Sequence, residues 1–298
     1  MRIAVCGDIH GNLYALHAVL VEIRTQRPDA LVVNGDLVYK FPWGAEVVDL
    51  LRSFPCQCLL GNAELYVGLW ETPLWPVDWN EPLMRDVVGG ECARLGAERL
   101  GWLVQLPEHA SFSAGRLDDL VVVHGVPGNP FLTFLAAPGD DRSPWVQTDE
   151  RARELLGGVD ADVLVCGHTH AILRRSIAHG NGERTLVVNP GSLSYNRGRD
   201  KGAGRADYAL LDWSAATGWQ VSLHTAHFDP DPLHRALLSY AGDYPLASFI
   251  ANRVRAPGVD AMREGRAPDF ITHRWGDAPE WWDRRDDLPG WRSLRGEE

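Results

Sequence analysis

The sequence predicts an α/β layered fold, and three observations carry that prediction. Short apolar runs with a β-branched bias alternate with stretches whose apolar residues recur at helical spacing. Each run is cut off by a glycine-bearing turn. Five of the six turns carry candidate ligands: Asp8 and His10, Asp36, Asn62, His124, and His168 with His170. With 298 residues, 45% of them hydrophobic, the chain suits one large domain or two small ones with a sizeable core.

Residues 2–6 form the first run, and Leu13, Leu16, Leu20 and Ile23 follow at helical spacing. Residues 30–33 are a second buried strand that ends in Asn34-Gly35-Asp36, and 45–52 read as helix. The run 57–60 ends in Gly61-Asn62-Ala63-Glu64, and 120–123 ends in His124-Gly125. The run 162–166 ends in Gly167-His168-Thr169-His170, and 185–188 ends in Asn189-Pro190-Gly191-Ser192. Residues 84–105 and 229–242 have helical patterning, and beyond about 256 the pattern becomes irregular. In open α/β sheets, ligands bind beyond the carboxyl ends of the strands.

Composition narrows the function. The net charge of −11 gives no basic footprint for non-specific nucleic-acid binding, although bound metals would not appear in that count. Only Lys40 and Lys201 are lysines among 29 basic residues, which reads as compositional bias. No run approaches the roughly 20 apolar residues of a membrane span, and residues 1–6 are too short for a signal peptide. Five cysteines form no disulfide framework and point to a reducing compartment, the cytoplasm; Cys56-Gln57-Cys58 reads as part of a buried strand.

Each strand end has an ordinary explanation by itself: Asp8 a helix cap, Asp36 and Asn62 turn formers, His124 a core histidine. Together they make a ligand set of two carboxylates (Asp8, Asp36), one amide (Asn62) and four imidazoles (His10, His124, His168, His170). Mixed nitrogen and oxygen donors without thiolate suit Mn, Fe, Zn, Ni or Co better than Ca. Seven donors are too many for one such ion with an open position and suit two ions that share a carboxylate. Such a pair clamps the attacking and leaving oxygens of an in-line displacement and supplies hydroxide at neutral pH.

The series GDIHGN, GDLV, GNAE, VHG and GHTH, in this order over about residues 1–226, resembles the calcineurin-like metallophosphoesterase superfamily. Asn189-Pro190-Gly191-Ser192 and the stretch from Ala206 to Asp212 are similar to bacterial members. The resemblance implies a four-layer αββα sandwich with the metal site at the strand C-terminal ends. It implies that Asp8, His10, Asp36 and His170 hold a first ion, that Asp36 bridges, and that Asn62, His124 and His168 complete a second. Asp36, Asn62 and His124 are then the catalytic candidates, and Mn is the metal expected to activate best. Gly7 and Gly11 are expected to let the first turn bend tightly.

One departure stands in the third block. Many catalysts of this family carry His there, in GNHD or GNHE; it protonates the leaving oxygen, and the acid after it orients the ring. Here Ala63 has no proton to give, and Glu64 has no imidazole to orient. General acid catalysis contributes about 10²–10⁴-fold, so the loss weighs most on basic leaving groups. The expected activity is that of a dinuclear phosphodiesterase that uses a metal-bridging hydroxide. The alternatives are a phosphomonoesterase, protein phosphatase or dinucleoside polyphosphatase, and, in another class, a non-catalytic binding module, which the complete ligand set argues against.

The domain expected over 1–226 carries a long insertion, 66–118, dense in Trp and Pro between 69 and 79. This stretch reads either as a packed loop or as a wall on which Trp75 stacks a flat group. The basic loop 196–202 offers Arg197 for phosphate. With Asn12, these two are the candidates for substrate contact. Residues 227–298 form a helical and irregular extension whose four late tryptophans suggest docking on the body or on a partner, a second copy included. The expected partner is a small phosphorylated substrate, with nucleotides as candidates.

Overall fold

Alternation along the first strand sets the layering. In β1 (Arg2–Cys6), Ala4 and Cys6 face one core while Ile3 and Val5 face another, because successive strand side chains point to opposite faces. The structure, a computed structural model, describes residues 1–134, 147–180, 182–194, 204–255 and 278–296.

After β1 come α1 (Leu13–Gln26), β2 (Ala30–Val33), α2 (Gly44–Ser53), β3 (Gln57–Cys58), α3 (Asn62–Gly68), a 3-10 turn at Val77–Trp79 and α4 (Pro82–Leu103). Then follow β4 (His109–Phe112), β5 (Leu120–Val123), α5 (Asp149–Leu155), β6 (Val163–Val165), β7 (Leu173–Ala178) and β8 (Arg184–Asn189). A hairpin of β9 (Arg205–Ser214) and β10 (Gly218–His227) precedes α6 (Pro230–Ser239) and α7 (Ala247–Arg255). A 3-10 turn at Trp282–Asp287 and α8 (Pro289–Arg295) follow.

The strands make two five-stranded sheets, ordered β10-β9-β1-β2-β3 and β4-β5-β6-β8-β7. Ile3, Val5, Val32, Leu120, Val122 and Val165 fill the space between them. Helices α1 to α4 cover the outer face of the first sheet, and α5 covers the second. This is the helix–sheet–sheet–helix sandwich that the motifs imply. Within each sheet three neighbouring strands run parallel: β1, β2 and β3 in one, β5, β6 and β8 in the other. Their carboxyl ends therefore open on the same side.

All six strands expected from apolar runs are present, and β4, β7, β9 and β10 are added. β4 lies in the stretch set apart as an insertion, yet it pairs antiparallel with β5 from His109↔Val123 to Phe112↔Leu120. It and β7 are edge strands with exposed polar residues between buried ones, so they show no continuous apolar run. α4 is the longest element of that stretch and is broken at Gly96.

Within the C-terminal extension, residues 278–296 pack against the segments around Glu108 and Gly128. Trp282 is fully buried, donates from Nε1 to the carbonyl oxygen of Gly128 at 3.0 Å and packs edge-on against Phe131. Arg285 lies over its ring and pairs with Glu108 at 2.8 Å. Arg295 donates to the carbonyls of Val104 and Leu106. Trp275 lies outside the described residues. Truncating a fully buried Trp costs about 3–5 kcal/mol. Trp282→Ala should lower the urea-unfolding free energy by that amount, and a loss under ~1 kcal/mol would show that the extension is only loosely attached.

Candidate metal centre

The ligands sit where strands stop, and the backbone there is unusual. Asp8 (φ 51°), His10 (51°), Asp36 (54°), His168 (67°) and His170 (55°) all occupy the left-handed region. For residues other than glycine this costs on the order of 1–3 kcal/mol each, and such residues cluster at functional sites. Each bends the chain sharply past its strand, so these five side chains turn into one space from the ends of β1, β2 and β6. Gly11 (φ 79°) serves the bend as expected. Gly7 is needed for a different reason: a Cβ there would collide with the Asn34 side chain.

Two groups of ligand atoms form. Asp8, His10, Asp36 and His170 offer one atom each within 4.8 Å of one another, and so do Asp36, His124 and His168. Asp36 belongs to both. Its Oδ2 lies 3.3 Å from His10 Nε2 and its Oδ1 3.3 Å from His124 Nε2. His10 Nε2 and His170 Nε2 face each other at 2.9 Å, and His170 Nε2 is 3.3 Å from Asp8 Oδ1. Asn62 Oδ1 faces His124 Nε2 at 3.0 Å and His168 Nδ1 at 2.7 Å, which adds it to the second group. All seven residues expected from the motifs thus converge.

The chemistry of this donor set fits cations. Asp8 and Asp36 are buried. Burial and the neighbouring Asp8 push the Asp36 carboxyl above its ordinary range, and burial and Asp36 push Glu64 up to about 7. Buried like charges of this kind call for bound cations. The His10 ring is held well below its usual range by burial, Lys40 and His170, so it is neutral and keeps a lone pair. Its Nδ1 points at the Val38 carbonyl and His124 Nδ1 at the Asn34 carbonyl, 2.9 Å away. Both rings therefore turn Nε2 to the centre. One positive group already stands among the ligands: Lys40 Nζ, 2.8 Å from His10 Nε2.

A layer of polar residues holds these turns. Glu64 is fully buried, and its carboxylate accepts from the backbone N–H groups of Gly61 (2.8 Å), Asp36 (2.9 Å) and Leu37 (2.7 Å). It clasps the turn that carries the shared aspartate, so an imidazole to orient is not what gives it a task. Asn189 donates to the Gly167 carbonyl at 2.7 Å and holds the GHTH turn. Ser192 Oγ donates to the Asp8 carbonyl at 2.9 Å. From α4, buried Glu91 accepts from Tyr39 N, and Met84 Sδ accepts from the Tyr39 hydroxyl, which props the segment bearing Lys40.

Two of the three substrate-contact candidates lie within the described residues. Asn12 is fully buried and caps α1, its Oδ1 accepting from Ala15 N at 3.2 Å. Trp75 packs edge-on between Trp70 and Trp79 and donates to Asn80 Oδ1. It is Trp79 that reaches inward, to Tyr66. Arg197 lies outside the described residues. Sequence reasoning missed Lys40, although its rarity in an arginine-dominated chain was a usable signal, and it missed Tyr66, which no motif marks.

Removing an acceptor from buried N–H groups costs about 1–3 kcal/mol. Glu64→Ala should lower stability by that amount and weaken Mn²⁺ binding in both groups, as read by thermal melts and calorimetric titration. Unchanged melting and affinity would mean that Glu64 does not hold the Asp36 turn.

Comparison with known proteins agrees with this geometry. The crystal structure of a metallophosphoesterase from Sphaerobacter thermophilus is similar at 24% identity, with a TM-score of 0.60 over 84% of this chain and 98% of that one. That likeness is one of fold. An uncharacterised protein of Methanocaldococcus jannaschii, MJ0912, is 21% identical over 224 residues, 70% of this chain and 82% of that protein. The model of the calcineurin-like phosphoesterase family matches residues 1–171. With that match over more than half of its length, and with paired Asp and His clusters at the strand ends, the chain belongs to the calcineurin-like phosphoesterase family.

Proposed function

We propose that the chain is a dinuclear metal-dependent phosphodiesterase acting on small substrates with good leaving groups. The observation that carries the reading is the single buried carboxylate, Asp36, shared between two clusters of donors. Asp8, His10 and His170 would hold the first ion with it, and Asn62, His124 and His168 the second. Two ions there would supply Lewis acidity toward the phosphoryl oxygens and an activated water. Hydrolysis forms a bond from the water oxygen to phosphorus and breaks the bond to the departing alcohol, which takes its proton from solvent. Lys40 is placed to neutralise a phosphoryl oxygen beside the first cluster. Mn is the expected activator, with Fe, Zn and Ni as the other metals that suit this donor set.

The lean toward diesters comes from Ala63. It is fully buried and spends its N–H on Asp36 Oδ1 at 2.8 Å, so nothing at that position protonates a basic leaving group. Phosphomonoester hydrolysis is the second reading, favoured by Lys40, whose charge suits a dianion. Five free thiols support a reducing compartment such as the cytoplasm. Among the described residues no helix is long and apolar enough to cross a membrane.

The metal-loaded protein should bind two Mn²⁺ per chain and hydrolyse bis-nitrophenyl phosphate far faster than alkyl diesters, with chelation abolishing the activity. Asp36→Asn should lower kcat/KM by about 10²-fold or more, as expected for loss of a bridging metal ligand, and weaken both ions. His168→Ala should spare the first ion. No nitrophenyl diesterase activity after Mn²⁺ reconstitution would overturn the reading.

Trp79, which packs on Tyr66, is the tryptophan placed to line a base. Trp79→Ala should raise KM for nucleotide diesters more than for nitrophenyl diesters, and Trp75→Ala should do so less. Equal effects of Trp79→Ala on both substrate types would make the cluster a packing element only.

A further inference from the structure

We propose that the Tyr66 hydroxyl donates a hydrogen bond to the departing oxygen of the substrate, taking over part of what Ala63 cannot do. This rests on the phosphoesterase reading above and names a further residue of that site.

The placement follows from the helix. α3 starts at Asn62, at the second metal cluster. Residues 62 and 66 are four apart and share a helix face, and helical side chains lean toward the N-terminus. The phenol of Tyr66 therefore reaches back over Asn62. The ring's neighbours set it beside the site: Tyr39 precedes Lys40, and Phe131 lies on the segment that follows His124. A phenol can donate its hydrogen to an acceptor, which is the role asked of it here.

The ring is fixed from three separate segments: edge contacts to Tyr39 at 5.5 Å and Trp79 at 4.7 Å, and a tilted contact to Phe131 at 6.3 Å between centroids. Tyr66 is only partly buried, whereas Ala63 is sealed in the helical core. Of these two residues it is Tyr66 that can meet a ligand. The phenol keeps its proton throughout. It lowers the charge building on the departing oxygen, and solvent protonates the alcohol after the phosphorus–oxygen bond breaks.

The test compares the full-length Mn²⁺-loaded protein with Tyr66→Phe, which preserves the ring contacts, on phosphodiesters of rising leaving-group pKa. A hydrogen bond to developing charge contributes about tenfold or more. Tyr66→Phe should lose that on phenyl and alkyl esters and much less on nitrophenyl esters. The dependence on leaving-group pKa should steepen, with KM, the melting temperature and the stoichiometry of two Mn²⁺ in direct titration unchanged. A uniform loss across the series together with weakened binding of one ion would overturn the proposal and leave the hydroxyl as a positioning group for Asn62. No loss on any ester would overturn it outright. A parent protein inactive on the whole series would overturn the phosphoesterase reading first.

Discussion

The burial of Asp36 is the constraint on which the rest of the site depends. An ionised carboxylate removed from water is costly unless charge and hydrogen bonds replace the lost hydration. Here replacement comes from every side. Ala63 N–H donates to Oδ1, imidazoles from His10 and His124 stand on either edge, and Lys40 lies beyond His10. Glu64 holds the turn from behind, although its own burial adds another carboxyl to those of Asp8 and Asp36. Side-chain donors alone do not balance so much buried negative charge. The two donor clusters are the places where cations would complete it.

Much of this was legible in the sequence because both signals are local. A buried strand announces itself as an apolar run, and a ligand at its tip adjoins that run, as with Val33 before Asp36 or Val123 before His124. What was not legible depends on contacts across the chain. β4 and β7 alternate polar and apolar residues at sheet edges and form only against strands already in place. Asn12 follows two ligands in sequence but points into α1. Glu64 loses its expected partner at Ala63 and is retained by amides from the β2 turn, 26 or more positions away.

The left-handed ligands show how the work is divided between site and scaffold. Five unfavourable backbone conformations at the strand ends would add to several kcal/mol of strain. The inter-sheet core and the helical core, both dense in fully buried Val, Leu and Ile, offset that strain. The site can therefore be distorted without the fold being lost. It also follows that a ligand's position is set as much by backbone as by side chain, since residues that dislike this region would reshape the turn.

The parts outside the motifs are joined by aromatic contacts that lead toward the centre. A chain of aromatic contacts runs from Trp291 through Trp282 and Phe131 to Tyr66, and from there to Trp79 and Trp75. The C-terminal end of that chain lies beyond the family match at residue 171. It reaches the centre through the segment that follows His124, because Trp282 bonds to Gly128 and packs on Phe131. Tyr66 is the point where this apolar ladder meets the polar donors. The ladder is built by α3, by the segment that precedes α4 and by the C-terminal residues 278–296. Selectivity is therefore expected to follow the aromatic ladder, and reactivity the buried charge at Asp36.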